Sequence, residues 1–178
     1  MRKLIISALM ITLITALSLP VFSNVDFINE KPWTVTAGVG YQKFNRVNGW
    51  GYGPMLTVEF ALSDEMGIRV SSTLVLRTDG FYDGTFISGD AGLTFRLLRM
   101  PSWLKLFSGG SFFSGSDNDG SLWSSLGVHF GASAFFPLGR SVGIPVTGTL
   151  RYWIKDDTSY KGKNALSSSI STGIAFRF

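Results

Sequence analysis

The chain of 178 residues has no cysteine, one histidine (His129) and six prolines. Without cysteine there is no disulfide and no thiol to carry a lipid, so stability must come from backbone pairing and packing. One histidine and no thiol also make a poor ligand set for a transition metal, and no metal or other cofactor is expected. Charge is scarce as well, at 16% of residues, and no basic run is present to follow a phosphate backbone, which excludes nucleic acid as a partner. Long apolar runs are missing too. After Pro20 no stretch approaches the ~20 residues of a membrane helix, yet the mean hydropathy is +0.24. The chain is apolar without an apolar run.

Its beginning is different in character. Arg2 and Lys3 precede an apolar run from Leu4 to about Leu19, followed by Pro20 and the exit Val21, Phe22, Ser23. That is the pattern of a secretory signal peptide (1–23) cut after Ser23, leaving one domain over 24–178. A retained membrane anchor is the alternative, disfavoured because the run is short for a span and ends at a helix breaker. Losing Arg2 and Lys3 leaves 14 basic against 12 acidic residues, a net charge of +2.

Fifteen Phe, five Trp and 21 Gly point to β structure. Eight segments alternate apolar and polar residues, each near the ~9–11 residues of a tilted membrane strand. They are WTVTAGVGYQKF, YGPMLTVEFAL, MGIRVSSTLVLR, TFISGDAGLTFRL, SWLKLFSGGSFF, WSSLGVHFGASAFFPL, VGIPVTGTLRYWI and SSISTGIAFRF. The fifth is the weakest, because Lys105 shares a face with Trp103 and Phe107. Connections alternate between tight turns (Ser63–Glu65, Arg99–Pro101, Leu138–Ser141) and longer polar loops, as in an up-and-down meander. Pro54 and Pro145 cannot donate to a ladder and are expected near strand ends.

The polar face is mostly Gly, Ser and Thr, with sparse charges at Glu59, Arg69, Arg77, Asp90, Arg96, Arg151 and Arg177, and with His129. Small residues with a few long ones suit the narrow interior of an eight-stranded barrel. A water-facing surface would carry more Lys, Glu and Gln. Aromatics gather at segment ends, among them Trp33, Tyr41, Tyr52, Trp103, Trp123, Tyr152 and Trp153, as two interfacial girdles would require. The expected fold is therefore all-β: an eight-stranded antiparallel up-and-down transmembrane β-barrel, apolar face outward, since strands cross lipid only when closed. A soluble barrel with the apolar face inward is the competing orientation.

The chain ends on Phe178, with Phe176, Ile174 and Ile170 behind it. This resembles the C-terminal signature of bacterial outer-membrane barrels, and the whole mature chain resembles the small group that includes the OmpA membrane domain, OmpX and the opacity-type adhesins. The resemblance implies a Gram-negative outer-membrane location with both termini periplasmic. It also implies reading of the last strand by the barrel-assembly machinery, escort by periplasmic chaperones, and contact with outer-membrane lipids and lipopolysaccharide, as a monomer. The function expected is a structural or surface-interaction role with a lumen filled by a polar network. A narrow pore for small solutes, or a lipid A-modifying enzyme, are the alternatives.

No catalytic set is expected. Alternation puts His129 mid-strand on the inner face, and spacing places no serine and acid beside it. SDNDGS (116–121) lacks the distal Glu of a calcium loop and reads as a turn. Asp79, Asp83, Asp156, Asp157, Lys161 and Lys163 are loop charges that could meet lipopolysaccharide.

Overall fold

The computed structural model describes residues 31–44, 49–79, 85–96, 103–116, 122–156 and 166–178. The segment 1–23 expected to be a signal peptide, the turn at Arg99–Pro101 and most of the long loops lie outside them. Nine strand segments follow in order: β1 (Trp33–Phe44), β2 (Gly49–Ala61), β3 (Met66–Val75), β4 (Arg77–Asp79), β5 (Thr85–Phe95), β6 (Leu104–Ser116), β7 (Leu122–Pro137), β8 (Val142–Asp156) and β9 (Leu166–Arg177). β3 and β4 form one stave interrupted at Leu76, so the staves number eight.

Every pairing is antiparallel between neighbours in sequence, and β1 pairs with both β2 and β9. The sheet is closed and has no free edge. Trp33 N donates to Phe178 O at 3.0 Å and Phe178 N to Trp33 O at 3.1 Å, sealing the two chain ends together. Two tight turns are seen. Leu62 N and Ser63 N both donate to Met66 O, and Leu138 N and Gly139 N to Val142 O. The Ser63 hydroxyl accepts from Glu65 N and Met66 N, an ordinary serine turn that fixes the first of them.

The apolar set faces outward. Val39, Leu126, Val128, Phe130, Leu150, Ile154, Ile170 and Ile174 are exposed, while Thr36, Thr57, Ser71, Asp90, His129, Thr147 and Arg151 are buried. The fifth segment is resolved by the same criterion. In β6, Lys105, Phe107, Ser111 and Phe113 face the lumen, and Phe112 faces out. Phe107 can point inward because Gly131 has no side chain there: a Cβ on Gly131 would sit 2.2 Å from the Phe107 ring.

Pro54 and Pro145 lie inside strands rather than at their ends, and each coincides with a broken ladder. Pro54 pairs with Val39 of β1, but on its other side the register jumps from Met55↔Thr73 to Tyr52↔Arg77, one extra residue on the β3–β4 stave. Pro145 pairs with Phe135, while the β8–β9 register is interrupted between Gly143↔Ala175 and Val146↔Thr172. Thr172 Oγ1 donates to Pro145 O at 3.0 Å across that gap. Bulges and gaps absorb the missing donor, as a closed barrel requires.

At the seam, Gly38 opposes Gly173, and a Cβ on Gly38 would lie 2.0 Å from Thr172 O. A Gly38→Val barrel should therefore lose about 1–3 kcal/mol through forced backbone separation. Gly110→Ala, where nothing lies within 4 Å, should change little. Urea unfolding of both variants in lipid vesicles checks this.

Candidate functional site: the barrel interior

The lumen is layered along its axis. Toward the long-loop end, Val75, Phe86 and Phe113 form an apolar cluster with Trp153 packed against it. Phe86 and Phe113 meet edge to face at 4.7 Å, and Phe113 lies 5.7 Å from Trp153. Trp153 is thus no girdle residue. It shares the inward face of Arg151, and its indole Nε1 donates to Ser167 Oγ at 3.1 Å. The alternation of β8 foretells this, since only even positions there carry the outward set.

Below the apolar layer lies a ring of charge on consecutive staves. Asp90 (β5) accepts from Arg151 (β8) through Nε at 2.8 Å and Nη2 at 2.5 Å, a bidentate pair across the lumen. Arg151 Nη1 also donates to Ser169 Oγ at 2.8 Å. Ser111 (β6) donates to Asp90 Oδ1 at 2.6 Å and lies 3.1 Å from His129 Nδ1 (β7). His129 Nδ1 is also 3.1 Å from Gly110 O and 3.6 Å from Asp90 Oδ1.

Serine and acid therefore do gather at His129, contrary to the expectation from spacing. Register supplies what spacing could not: Asp90 is directly opposite Ser111, and His129 directly opposite Arg151. The order of contacts differs from a nucleophile relay. A relay needs the acid on one ring nitrogen and the hydroxyl on the other, whereas Ser111 and Asp90 both approach Nδ1. All of these side chains are buried.

At the short-turn end a third layer encloses a cavity of about 40 Å³ lined by Glu59, Arg69, Lys105 and Arg177 with Thr and Ser hydroxyls. Glu59 is directly opposite Arg69, but its ion pair is with Lys105 from β6. Arg69 instead lies over the Phe107 ring at 4.4 Å and Arg177 over Phe135 at 3.8 Å, both cation–π contacts. Lys105 is an interior charge that the sequence does not place inside. Its signal was the awkward face it shared with Phe107, which becomes orderly once Lys105, Phe107, Ser111 and Phe113 point inward together.

Among the other interior charges, Arg96 is half-buried just past the end of β5, and its backbone N donates to Glu65 O at 2.8 Å. The side chain of Arg77 lies outside the described residues. The extra residue before Arg77 means that alternation counted from Arg69 does not carry through to it.

Solved structures with the same chain course include Neisserial surface protein A, 17% identical with a TM-score of 0.55, covering 83% of this chain and 97% of that one. The attachment invasion locus protein Ail of Yersinia pestis gives 16% and 0.53, over 84% and 100% of the two chains. The N-terminal barrel domain of Pseudomonas aeruginosa OprF gives 12% and 0.51, over 83% and 98%. The fold is that of the small outer-membrane barrels. No family profile matches the sequence, and no curated protein does either.

On the outside of the barrel, aromatics mark both ends. Tyr41 stacks on Trp50 at 4.5 Å with Lys43 beside it, and Tyr52 and Tyr152 are exposed at the same end. At the other end Trp103 stacks with Phe136 at 6.5 Å, Trp33 covers Phe60 at 4.4 Å, and Phe176 and Phe178 are exposed. Trp123 lies in β7 with its side chain outside the described residues. Ile170, Ile174, Phe176 and Phe178 form the outward face of β9 and its end. Among the described residues no cluster of His, Asp or Glu could hold a metal ion, and no helix is long and apolar enough to cross a membrane.

Proposed function

We propose that the chain is an integral outer-membrane protein that crosses the bilayer as a closed monomeric barrel and serves a structural or surface-interaction role. One observation carries this reading: mid-strand side chains such as Val128, Phe130, Leu150 and Ile174 are exposed around the circumference, while polar and charged ones are buried inside. In water such a belt would be an aggregation surface far larger than soluble proteins carry. In lipid it is what each stave needs, and closure leaves no backbone group unpaired at an edge. Both ends of the described chain lie with the tight turns, so a periplasmic position for them puts the long loops outside the cell. Outer-membrane lipids and lipopolysaccharide are then the partners of the belt, with loop charges such as Asp79, Asp83 and Lys161 meeting headgroups. The assembly machinery is the proposed reader of the last strand.

A conducting role is disfavoured by the lumen. The Phe86–Phe113–Trp153 layer and the Asp90–Arg151 pair leave the axis filled at two levels. An enzyme is the reading that Ser111, His129 and Asp90 together favour, but their burial keeps them from an acyl ester in the bilayer.

Membrane fractionation with heat-modifiable gel mobility is the test. The protein should stay with the outer membrane through salt and carbonate washes, shift mobility on boiling, and give no discrete conductance steps in planar bilayers. Release by osmotic shock would defeat the membrane reading, and regular steps would defeat the filled lumen.

A further inference from the structure

We propose that the short-turn end of the lumen is a binding site for a phosphate-type oxyanion. The cavity there is lined by three cations, Arg69, Lys105 and Arg177, against one carboxylate, Glu59. That carboxylate is engaged by Lys105. Among the described residues, neither Arg69 nor Arg177 has a carboxylate within salt-bridge reach or a hydrogen-bond acceptor. Each has only an aromatic face, Phe107 and Phe135 respectively.

Arg69 decides the matter. The residue is only 8% exposed, and a buried guanidinium without a paired anion is costly. The fold supplies a partner elsewhere: Arg151, equally buried, has Asp90 in bidentate contact. Arg69 is buried too, yet the carboxylate opposite it, Glu59, is paired with Lys105, and Arg69 lines an open space instead of packing it shut.

The rest of the wall suits a tetrahedral oxyanion. Thr34, Thr36, Thr57 and Thr147 line the cavity, the hydroxyls of Thr57 and Thr147 already being bonded to those of Ser71 and Ser133, and guanidinium forks match oxyanions in pairs of parallel hydrogen bonds. A volume of about 40 Å³ holds about three waters at roughly 10–15 Å³ each, or one such group in their place. The same chemistry is offered by free phosphate in the periplasm and by the headgroup of an anionic phospholipid.

The experiment uses full-length protein in a phosphate-free maltoside detergent and reads phosphorus NMR line broadening of inorganic phosphate, and separately of a short-chain phosphatidylglycerol. Wild type should bind at least one of them in the millimolar range or tighter. Arg69→Gln and Arg177→Gln should each weaken that binding about tenfold, the loss of one charged hydrogen-bonding group, while Arg140→Gln, at the exposed turn, should not. Binding of phosphate itself assigns the site to the free ion, and binding of the phospholipid alone assigns it to a headgroup. Binding of neither, or binding unchanged in both Arg69 and Arg177 variants, overturns the proposal. Heat-modifiable mobility of the same samples separates loss of the site from loss of the barrel, and because Arg177 lies at the chain end its variant remains informative if Arg69→Gln fails to fold.

Discussion

Asp90→Asn should cost about 3–5 kcal/mol of folding free energy, the usual loss when one partner of a buried ion pair is removed. Asp90 is the sole carboxylate among the inward residues of the charged ring. It receives Arg151 through two nitrogens and Ser111 through a third contact. Asparagine presents one acceptor instead of two and no charge, leaving the Arg151 guanidinium in the lumen with neutral partners alone, the amide oxygen and Ser169. A double variant, Asp90→Asn with Arg151→Gln, should lose less than the two single changes added together, since the second change removes the uncompensated cation. Urea titration of vesicle-embedded protein, followed by Trp fluorescence and gel mobility, reads all three. Additive losses would show that the pair contributes no coupling.

The second large effect separates the two orientations of the sheet. Phe130→Arg should destabilise the inserted barrel by about 2–4 kcal/mol, the penalty of a basic side chain on the lipid face near the bilayer midplane. Phe130 is 50% exposed, in the middle of β7 and opposite Leu150. In a water-soluble barrel an exposed position of this kind tolerates arginine within about 0.5 kcal/mol. Phe130→Leu keeps the apolar surface and should be nearly silent. Thermal and urea unfolding in vesicles distinguishes these outcomes, and a silent Phe130→Arg would remove the lipid from the picture.

Alternation carried much of the fold. A two-residue period has only two phases, so one decision about which phase meets lipid placed Thr57, Asp90, His129, Thr149 and Ser171 inward together with their neighbours. It failed where the period itself is interrupted. Counting through Leu76 assigned a face to Arg77, but the extra residue opposite Pro54 breaks the count. Residue type alone groups Trp153 with the girdle, whereas its odd position in β8 gives the inward answer. The interior constellation was less legible for a different reason. Asp90 meets Arg151 across the lumen, and Lys105 reaches Glu59 between staves that are not neighbours. Such contacts depend on barrel radius and stagger, which no local pattern encodes. His129 shows the same limit, because its partners come from two other staves.

The joint between β1 and β9 sets the order in which the molecule can be completed. Thr34 meets Arg177 there, nearly the whole described length apart in sequence, so the contact that closes the ring brings together the most distant strands of the described chain. Loop-closure entropy and long-range pairing make that step the slowest to pay back. Until it happens, the growing ribbon offers two unsaturated flanks to any other extended strand. The final residues are therefore a latch: every earlier hairpin remains provisional until Phe178 reaches Trp33.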